Sequence, residues 1–314
     1  MPPKVIVVAG PTASGKTRLG IELAKLYNGE IVSADSMQIY RGMDIGTAKA
    51  TPEERAETAH HLIDVAEPCE SWSVSRYVEE ASRVCDALVE NGKMPVIVGG
   101  TGLYIDSLLS GRDFADTQED KALRSELSEE YDRVGGEKML EYLHSFDPER
   151  AEKLAAADKR RILRAIEIYR LTGTTITAHD AATRALPPRY DAAFIVLGYK
   201  NRADLYARIE KRVDRMIALG LFDEVRELLE KGLSPSSTAM QAIGYKEAAE
   251  ALSGRITYEE AAERIKISSR RYAKRQITWF GRREDALRIL FDGTPDFEYA
   301  RRLSCDFLAR HGIS

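Results

Sequence analysis

The sequence predicts an α/β fold of the P-loop NTPase-like kind, a parallel sheet flanked by helices, with a helical insertion domain. Three observations predict it. Short apolar runs of strand length alternate with stretches of helical periodicity. The first run, Val5 to Ala9, leads directly into a glycine-rich loop and then a helical pattern. From about Asp116 to Ala185 the alternation gives way to charged, Leu- and Ala-rich segments at helical spacing with no convincing strand. Strand-helix alternation implies right-handed crossovers and a sheet covered on both faces. The expected division is a first part of the core over residues 1–117, the insertion over 118–188, and the rest of the core with C-terminal helices over 189–314.

Taken in order, a helical pattern from Leu19 to Leu26 follows the glycine loop, and Glu30 to Ala34 reads as a strand ending at Asp35. Arg41 to Thr51, polar and glycine-containing, reads as a loop, and Pro52 opens a short charged helix. His61 to Val65 is a candidate strand. Val74 to Glu90 is helical and stops at Asn91-Gly92, a suitable C-cap. Met94 to Val98 is a buried-looking strand that ends in Gly99, Gly100 and Thr101, with a helix beyond. After the insertion come a strand at Ala192 to Tyr199 and helices at Arg202 to Leu219, Phe222 to Lys231, Ala242 to Leu252 and Tyr258 to about Phe280. A strand at Leu287 to Phe291 and a helix at Asp296 to Ala309 close the chain. Ligands of such sheets sit beyond the carboxyl ends of the strands, so the loops at Gly10 to Thr17, Asp35 to Gln38 and Gly99 to Thr101 are expected to meet in one cleft.

Composition sets limits. With 44% apolar and 31% charged residues the chain reads as a folded, water-exposed protein rather than a disordered or membrane-spanning one, and a cytoplasmic location is expected. Cys69, Cys85 and Cys305 are scattered and odd in number, which argues for ordinary thiols over a disulfide or zinc framework. The net charge of −4 gives no hint of nucleic acid, but its distribution does. Arg264, Lys266, Arg270, Arg271, Lys274, Arg275, Arg282 and Arg283 crowd one stretch without a single acid, and Lys159, Arg160, Arg161, Arg164 and Arg170 form an earlier group. Such clusters suit phosphate backbones, and suit a solvated helix face equally well.

Gly10, Pro11, Thr12, Ala13, Ser14, Gly15, Lys16 and Thr17 satisfy every fixed position of the phosphate-binding loop, between a strand and a helix as the chemistry requires. Backbone N–H groups turn toward phosphate oxygens, Lys16 supplies a point charge, and the Thr17 hydroxyl is placed to hold Mg²⁺ on the same phosphates. A kinase or other ATP user is the default meaning of such a loop. The strand before Gly99 lacks the metal-ordering acid common in that class, and the acid at a convincing strand end is Asp35, followed by Ser36, Met37 and Gln38. Asp35 suits a general base or the cap of the next segment. Thr101 suits an N-cap or a hydrogen bond at a reacting centre. Arg208 and Arg212, spaced i and i+4, share a helix face that alternates with acids.

The chain resembles the tRNA dimethylallyltransferases in Gly10 to Thr17, Ser33 to Tyr40, Asp44 to Lys49, His60 to Asp64, Gly99 to Tyr104, Gln241 to Lys246 and Tyr272 to Trp279. These ordered motifs run from the first strand to about Phe280. Ala50 stands where the family commonly has proline, and Arg112 to Gln118 matches nothing in its pattern. The resemblance implies transfer of a dimethylallyl group from dimethylallyl diphosphate to the exocyclic amine of the adenine 3′ of the anticodon, with Mg²⁺. It implies Asp35 as base, Thr101 and Lys16 at the reacting centre, and Arg212 against the diphosphate. Asp35, Ser36, Met37, Gln38, Thr101, Arg124, Lys159, Arg160, Arg161, Ile162 and Leu163 are the implied tRNA contacts, Gln38 offering a donor and acceptor for base recognition. Trp279 and Phe280 suit base stacking or, as core aromatics, the seating of their helix. The implied partners are the tRNA anticodon arm and the allyl diphosphate, with no membrane and a monomeric chain. Competing readings are prenylation of a free adenine nucleotide, for which the basic clusters serve no purpose, an ATP-consuming kinase, and a non-enzymatic RNA-binding switch.

Overall fold

The computed structural model describes residues 2–111 and 120–314. The chain divides into two compact units, Met1–Leu109 with Arg189–Ser314, and Ser110–Pro188. Residues 117 and 118, where the expected boundary falls, lie outside the described residues, as does the unmatched stretch 112–118.

The larger unit begins with β1 (Lys4–Ala9), α1 (Lys16–Leu26), β2 (Gly29–Ala34), α2 (Pro52–Glu57), β3 (His60–His61), α3 (Val74–Glu90), β4 (Met94–Gly99) and α4 (Gly102–Leu109). The smaller unit holds α5 (Lys121–Val134), α6 (Gly136–His144), α7 (Pro148–Ala151), α8 (Lys159–Thr172) and α9 (Ile176–Arg184). The larger unit resumes with β5 (Asp191–Tyr199), α10 (Arg202–Ala218), α11 (Leu221–Glu230), α12 (Tyr245–Leu252), α13 (Tyr258–Phe280), β6 (Leu287–Phe291) and α14 (Phe297–Arg310).

The six strands form one parallel sheet in the order β3-β2-β4-β1-β5-β6. Its strands are apolar on both faces, as a sheet covered by helices requires: Val5, Ile6, Val7 and Val8 are all buried. Ile6, Val8, Leu19, Val96, Ile195 and Phe307 belong to one packed core between the sheet and its helices. The register places the site. Ala9 and Ala34 both pair with Gly99, so β1, β2 and β4 end in one row and their loops leave the sheet side by side.

Two elements differ from expectation. The strand expected over His61 to Val65 shrinks to His60–His61, because Leu62 and Asp64 take φ of 60° and 57°, which turns the chain out of the ladder. The helix expected from Ala242 starts at Tyr245: Ala242 is extended, and Gly244, at φ 100°, donates its N–H to the Glu247 carboxylate at 2.9 Å. In the smaller unit, Leu127, Met139, Leu143, Ile162 and Ile166 make a separate core. Among the described residues no helix is long and apolar enough to cross a membrane.

Candidate functional site

The phosphate loop takes its shape from two residues with positive φ that begin and end it. Gly10 sits at φ 143° with Leu197 so close that a Cβ would lie 2.4 Å from its carbonyl oxygen. Gly15, at φ 87°, is the left-handed N-cap from which α1 springs. Lys16 therefore opens α1, and its Nζ donates to the Pro11 carbonyl at 2.8 Å across the loop. Burial, and then the charge of Arg212, push the Lys16 ammonium down to about 7 from 10.5, with Asp35 opposing the shift. Ser14 is fully buried and its Oγ has no hydrogen-bond partner among the described residues.

Asp35 follows the last residue of β2. Its Oδ1 accepts from the N–H groups of Met37 at 2.9 Å and Gln38 at 3.4 Å, so one oxygen caps the following turn. No hydrogen bond to Oδ2 occurs among the described residues, which leaves that oxygen to face the cleft. The cap expected of Asp35 is thus made by Oδ1 alone. Thr101 is positioned differently from a side-chain cap: α4 bonds back to its carbonyl, while its Oγ1 accepts the Ser36 N–H at 3.1 Å and donates to Ser36 Oγ at 3.4 Å. Thr101 therefore ties the end of β4 to the turn after β2.

Gln38 Nε2 donates to the carbonyls of Thr47 and Ala48, each at 3.3 Å, and its Oε1 accepts from the Ser33 hydroxyl at 3.3 Å. Its amide thus holds the 44–49 loop while the residue lines the cavity beside Asp35.

Two cavities flank Asp35. One of about 80 Å³ is lined by Lys16, Thr17 and Gly100. The other, of about 280 Å³, is lined by Ser36, Met37, Gly46 and Thr47, with an apolar wall that includes Ile209, Val213 and Met216. Thr12, Asp35, Arg212 and Tyr272 line both, so the carboxylate and the guanidinium stand where the two spaces meet. Arg212 is held below its usual range by burial, which Asp35 partly offsets. Its helix neighbour Arg208 is exposed and donates to the Ala13 carbonyl at 3.2 Å, which separates the two arginines that spacing alone left equivalent.

Sequence reasoning left two further cleft residues without roles. Gln276 of α13, only 4% exposed, accepts the Thr12 N–H at 2.8 Å and donates to the Gly100 carbonyl at 2.9 Å. Tyr272, one turn earlier, has its hydroxyl pushed up to about 12 by burial and by the Asp35 charge, with Thr101 and Gln276 opposing the shift.

In the smaller unit the predicted RNA contacts separate. Ile162 and Leu163 are buried in that unit's core, because they fall on the apolar seam of α8, and their side chains are withdrawn from any surface ligand. This corrects the expectation for those two. Arg160 and Arg161 are exposed on the first turn of α8. Lys159 pairs with Asp132 at 2.6 Å and lies over the Tyr131 ring. Arg124 and Arg164 converge on Glu167, whose side chain is 1% exposed, at 3.0 and 2.9 Å.

The basic run of α13 is likewise divided. Arg264, Lys266 and Arg270 pair with Glu250, Asp214 and Glu210, and Arg283 just beyond the helix pairs with Asp106. Arg271, Lys274, Arg275 and Arg282 are exposed, with Arg275 reaching the wall of the larger cavity. Phe280 is buried, as a core aromatic, whereas Trp279 is 40% exposed and donates its Nε1–H to Asp106 at 2.7 Å. Among the described residues no cluster of three or more His, Cys, Asp or Glu could hold a metal ion by itself.

Comparison with known proteins adds a family to this geometry. Residues 38–284 match the family described as IPP transferase, and residues 3–70 match the one described as isopentenyl transferase. The chain is 45% identical to the tRNA dimethylallyltransferase of Caldanaerobacter subterraneus subsp. tengcongensis and 46% identical to that of Acetivibrio thermocellus, covering 98% of both chains in each case. Among solved structures it is similar to the tRNA isopentenylpyrophosphate transferase of Bacillus halodurans, at 40% identity and a TM-score of 0.73 over 98% of this chain and 96% of that one. It is also similar to a eukaryotic dimethylallyltransferase acting on tRNA, at 29% identity and a TM-score of 0.81 over 98% of this chain and 80% of that one. With a phosphate loop, a strand-end carboxylate and a second cavity meeting at one point, and with relatives matched over almost the whole length, the chain belongs to the IPP transferase family, the tRNA dimethylallyltransferases.

Proposed function

We propose that this protein transfers the dimethylallyl group of dimethylallyl diphosphate to the exocyclic N6 amine of the adenine 3′ of the anticodon in tRNA, releasing diphosphate. The observation that carries the reading is the junction of the two cavities at Asp35 and Arg212. The smaller one takes the diphosphate, cradled by backbone N–H groups of the loop from Gly10 to Thr17 and by Lys16. The larger one takes the flipped-out adenine against Ser36 and Met37.

In the reaction the N6 nitrogen attacks the allylic carbon, the carbon-oxygen bond breaks, and the electron pair leaves with the diphosphate. Lys16 and Arg212 stabilise that growing charge. The N6 proton passes to the unengaged Oδ2 of Asp35, which lies on the boundary between donor and acceptor. Thr101 fixes the Ser36 turn, and so the angle at which the carboxylate meets the amine.

The residues present suit Mg²⁺ carried on the substrate. The Thr17 hydroxyl lines the phosphate cavity, and Asp35 is the carboxylate beside it; a hard cation of this size takes few protein ligands and completes its shell with phosphate oxygens and water. When bound, the ion neutralises charge on the leaving diphosphate. Exposed Arg160 and Arg161 of α8, and Arg271, Lys274, Arg275 and Arg282, provide cations for tRNA phosphates.

The test incubates the purified protein and Mg²⁺ with unmodified tRNA and radiolabelled dimethylallyl diphosphate, beside a parallel reaction with labelled ATP. Label entering tRNA from the allyl donor is the expected result. Phosphate released from ATP with no label in tRNA would contradict it.

A further inference from the structure

The loop between β2 and α2 has no regular structure of its own, yet it walls both cavities: Gly46 and Thr47 face the larger, Ala48 and Ala50 the smaller. What holds it is a carboxylate from far along the chain. Glu224, in the first turn of α11, accepts the N–H groups of Asp44 and Ile45 on Oε2, each at 2.8 Å. Its Oε1 accepts the Gly46 N–H at 3.2 Å and the Tyr245 hydroxyl at 2.5 Å. Four neutral donors thus converge on one anion, the pattern of a backbone nest filled by the protein's own side chain. Gly46 makes the approach possible, since a Cβ there would lie 2.4 Å from the Tyr245 ring. Gln38 also takes the Thr47 and Ala48 carbonyls, and Lys49, its side chain 2% exposed, bonds the Tyr40 carbonyl at 2.5 Å and the Asp44 carboxylate at 2.7 Å.

We infer that Glu224 is a positioning residue for the acceptor: its carboxylate holds the Asp44–Ala48 loop at the distance from Asp35 that admits the nucleobase. The inference rests on the proposed function. A loop with its N–H groups released from Glu224 keeps the Gln38 and Lys49 tethers, so it shifts rather than unfolds, and the shift falls on the wall of the larger cavity. The phosphate loop belongs to a different segment and is tied to Gln276, and Ala48 at the smaller cavity keeps its bond from Gln38, so donor binding changes far less than acceptor binding.

The experiment measures steady-state constants for tRNA and for dimethylallyl diphosphate separately in wild type, Glu224→Gln and Tyr245→Phe. The amide of Glu224→Gln turns donors against donors. Its kcat/KM for tRNA is expected to fall about ten- to hundredfold, as a displacement near 1 Å does, while the KM for the allyl diphosphate stays within about threefold. Tyr245→Phe, which keeps all three N–H bonds, is expected to stay close to wild type in both. Should Glu224→Gln not yield folded protein, Glu224→Asp, which keeps the charge and withdraws it by one methylene, reads the same split at smaller amplitude. An unchanged tRNA constant, or parallel loss in both constants with a lower Tm, would overturn the inference by making Glu224 a general tie of the scaffold. Failure of the wild type to label tRNA at all would instead overturn the function on which the inference rests.

Discussion

Gln276 Oε1 accepts the Thr12 N–H at 2.8 Å, joining the C-terminal end of α13 to the phosphate loop. The same amide donates to the Gly100 carbonyl at 2.9 Å, so one buried side chain spans the donor loop and the loop that carries Thr101. A Cβ on Gly100 would lie 2.2 Å from Gln276 Nε2, which is why the amide can approach the backbone there.

Gln276→Glu turns this bridge into a pH sensor. The new carboxylate keeps the bond from Thr12 and faces the Gly100 carbonyl oxygen, so burial and that carbonyl raise its folded pKa above the unfolded value. Stability from the protonated form is then present below the unfolded pKa and lost as pH rises through the folded one. Thermal melts should show Tm falling between about pH 5 and pH 8, by an amount that reflects the roughly 1–3 kcal/mol cost of an unsatisfied buried group. Gln276→Leu should melt lower than wild type with no such slope.

Lys16 carries the opposite sign. Its folded pKa, about 7, lies below the unfolded 10.5, so the ligand-free native state binds fewer protons between those values. The group's cost to stability is full below pH 7 and is relieved as pH rises toward 10.5. Lys16→Met should therefore raise the Tm of ligand-free protein at pH 6, by about 2–4 °C per kcal/mol relieved, while kcat falls about 10²- to 10³-fold. In wild type, kcat/KM for the donor should decline above pH 7 as the ammonium is lost from free enzyme.

Arg212 and Arg208 are separable by the same conservative change. Arg212→Lys removes a planar fork at the junction of the cavities and should raise the KM for the allyl diphosphate about tenfold. Arg208→Lys, at an exposed residue that meets the Ala13 carbonyl and the Tyr199 ring face, should leave that constant within about twofold. Equal effects at the two positions would contradict the placement of the diphosphate.

On α8 adjacent residues should report different physics. Ile162→Ala opens a cavity in the core of the smaller unit and should cost about 2–5 kcal/mol of its stability by denaturant melt. Arg161→Ala should leave the melt unchanged and weaken tRNA binding, reducing the salt slope of log K by about 1.

Features encoded within a short window were readable from the residues alone. The phosphate loop declares itself because eight consecutive positions must satisfy backbone turning, charge and metal affinity at once. Strand alternation placed Asp35 and Thr101 at the ends of parallel neighbours, and the register confirms that those ends align. Contacts across long separations were not readable: Gln276 meets Thr12 across 264 residues and Glu224 meets Ile45 across 179, and no local period encodes such pairs. The partners of Gln38 were not readable for the same reason, since they depend on how an irregular loop folds back. Ile162 and Leu163 were misjudged because a basic stretch drew attention from the apolar seam that runs through it. The short β3 shows a further limit, as the positive φ of Leu62 and Asp64 contradicts the preference of ordinary residues.

The central claim, that Asp35 takes the amine proton at the meeting point of donor and acceptor, is tested most directly by a single-turnover measurement. Enzyme in excess over labelled tRNA, saturated with dimethylallyl diphosphate and Mg²⁺, gives the rate of the bond-making step free of product release. The account predicts that Asp35→Asn, which keeps an Oδ1 to cap Met37 and Gln38, slows this step by about 10²- to 10⁴-fold with tRNA and donor affinities nearly unchanged. A single-turnover rate within a few-fold of wild type would remove Asp35 from proton transfer and leave it as the cap of its turn.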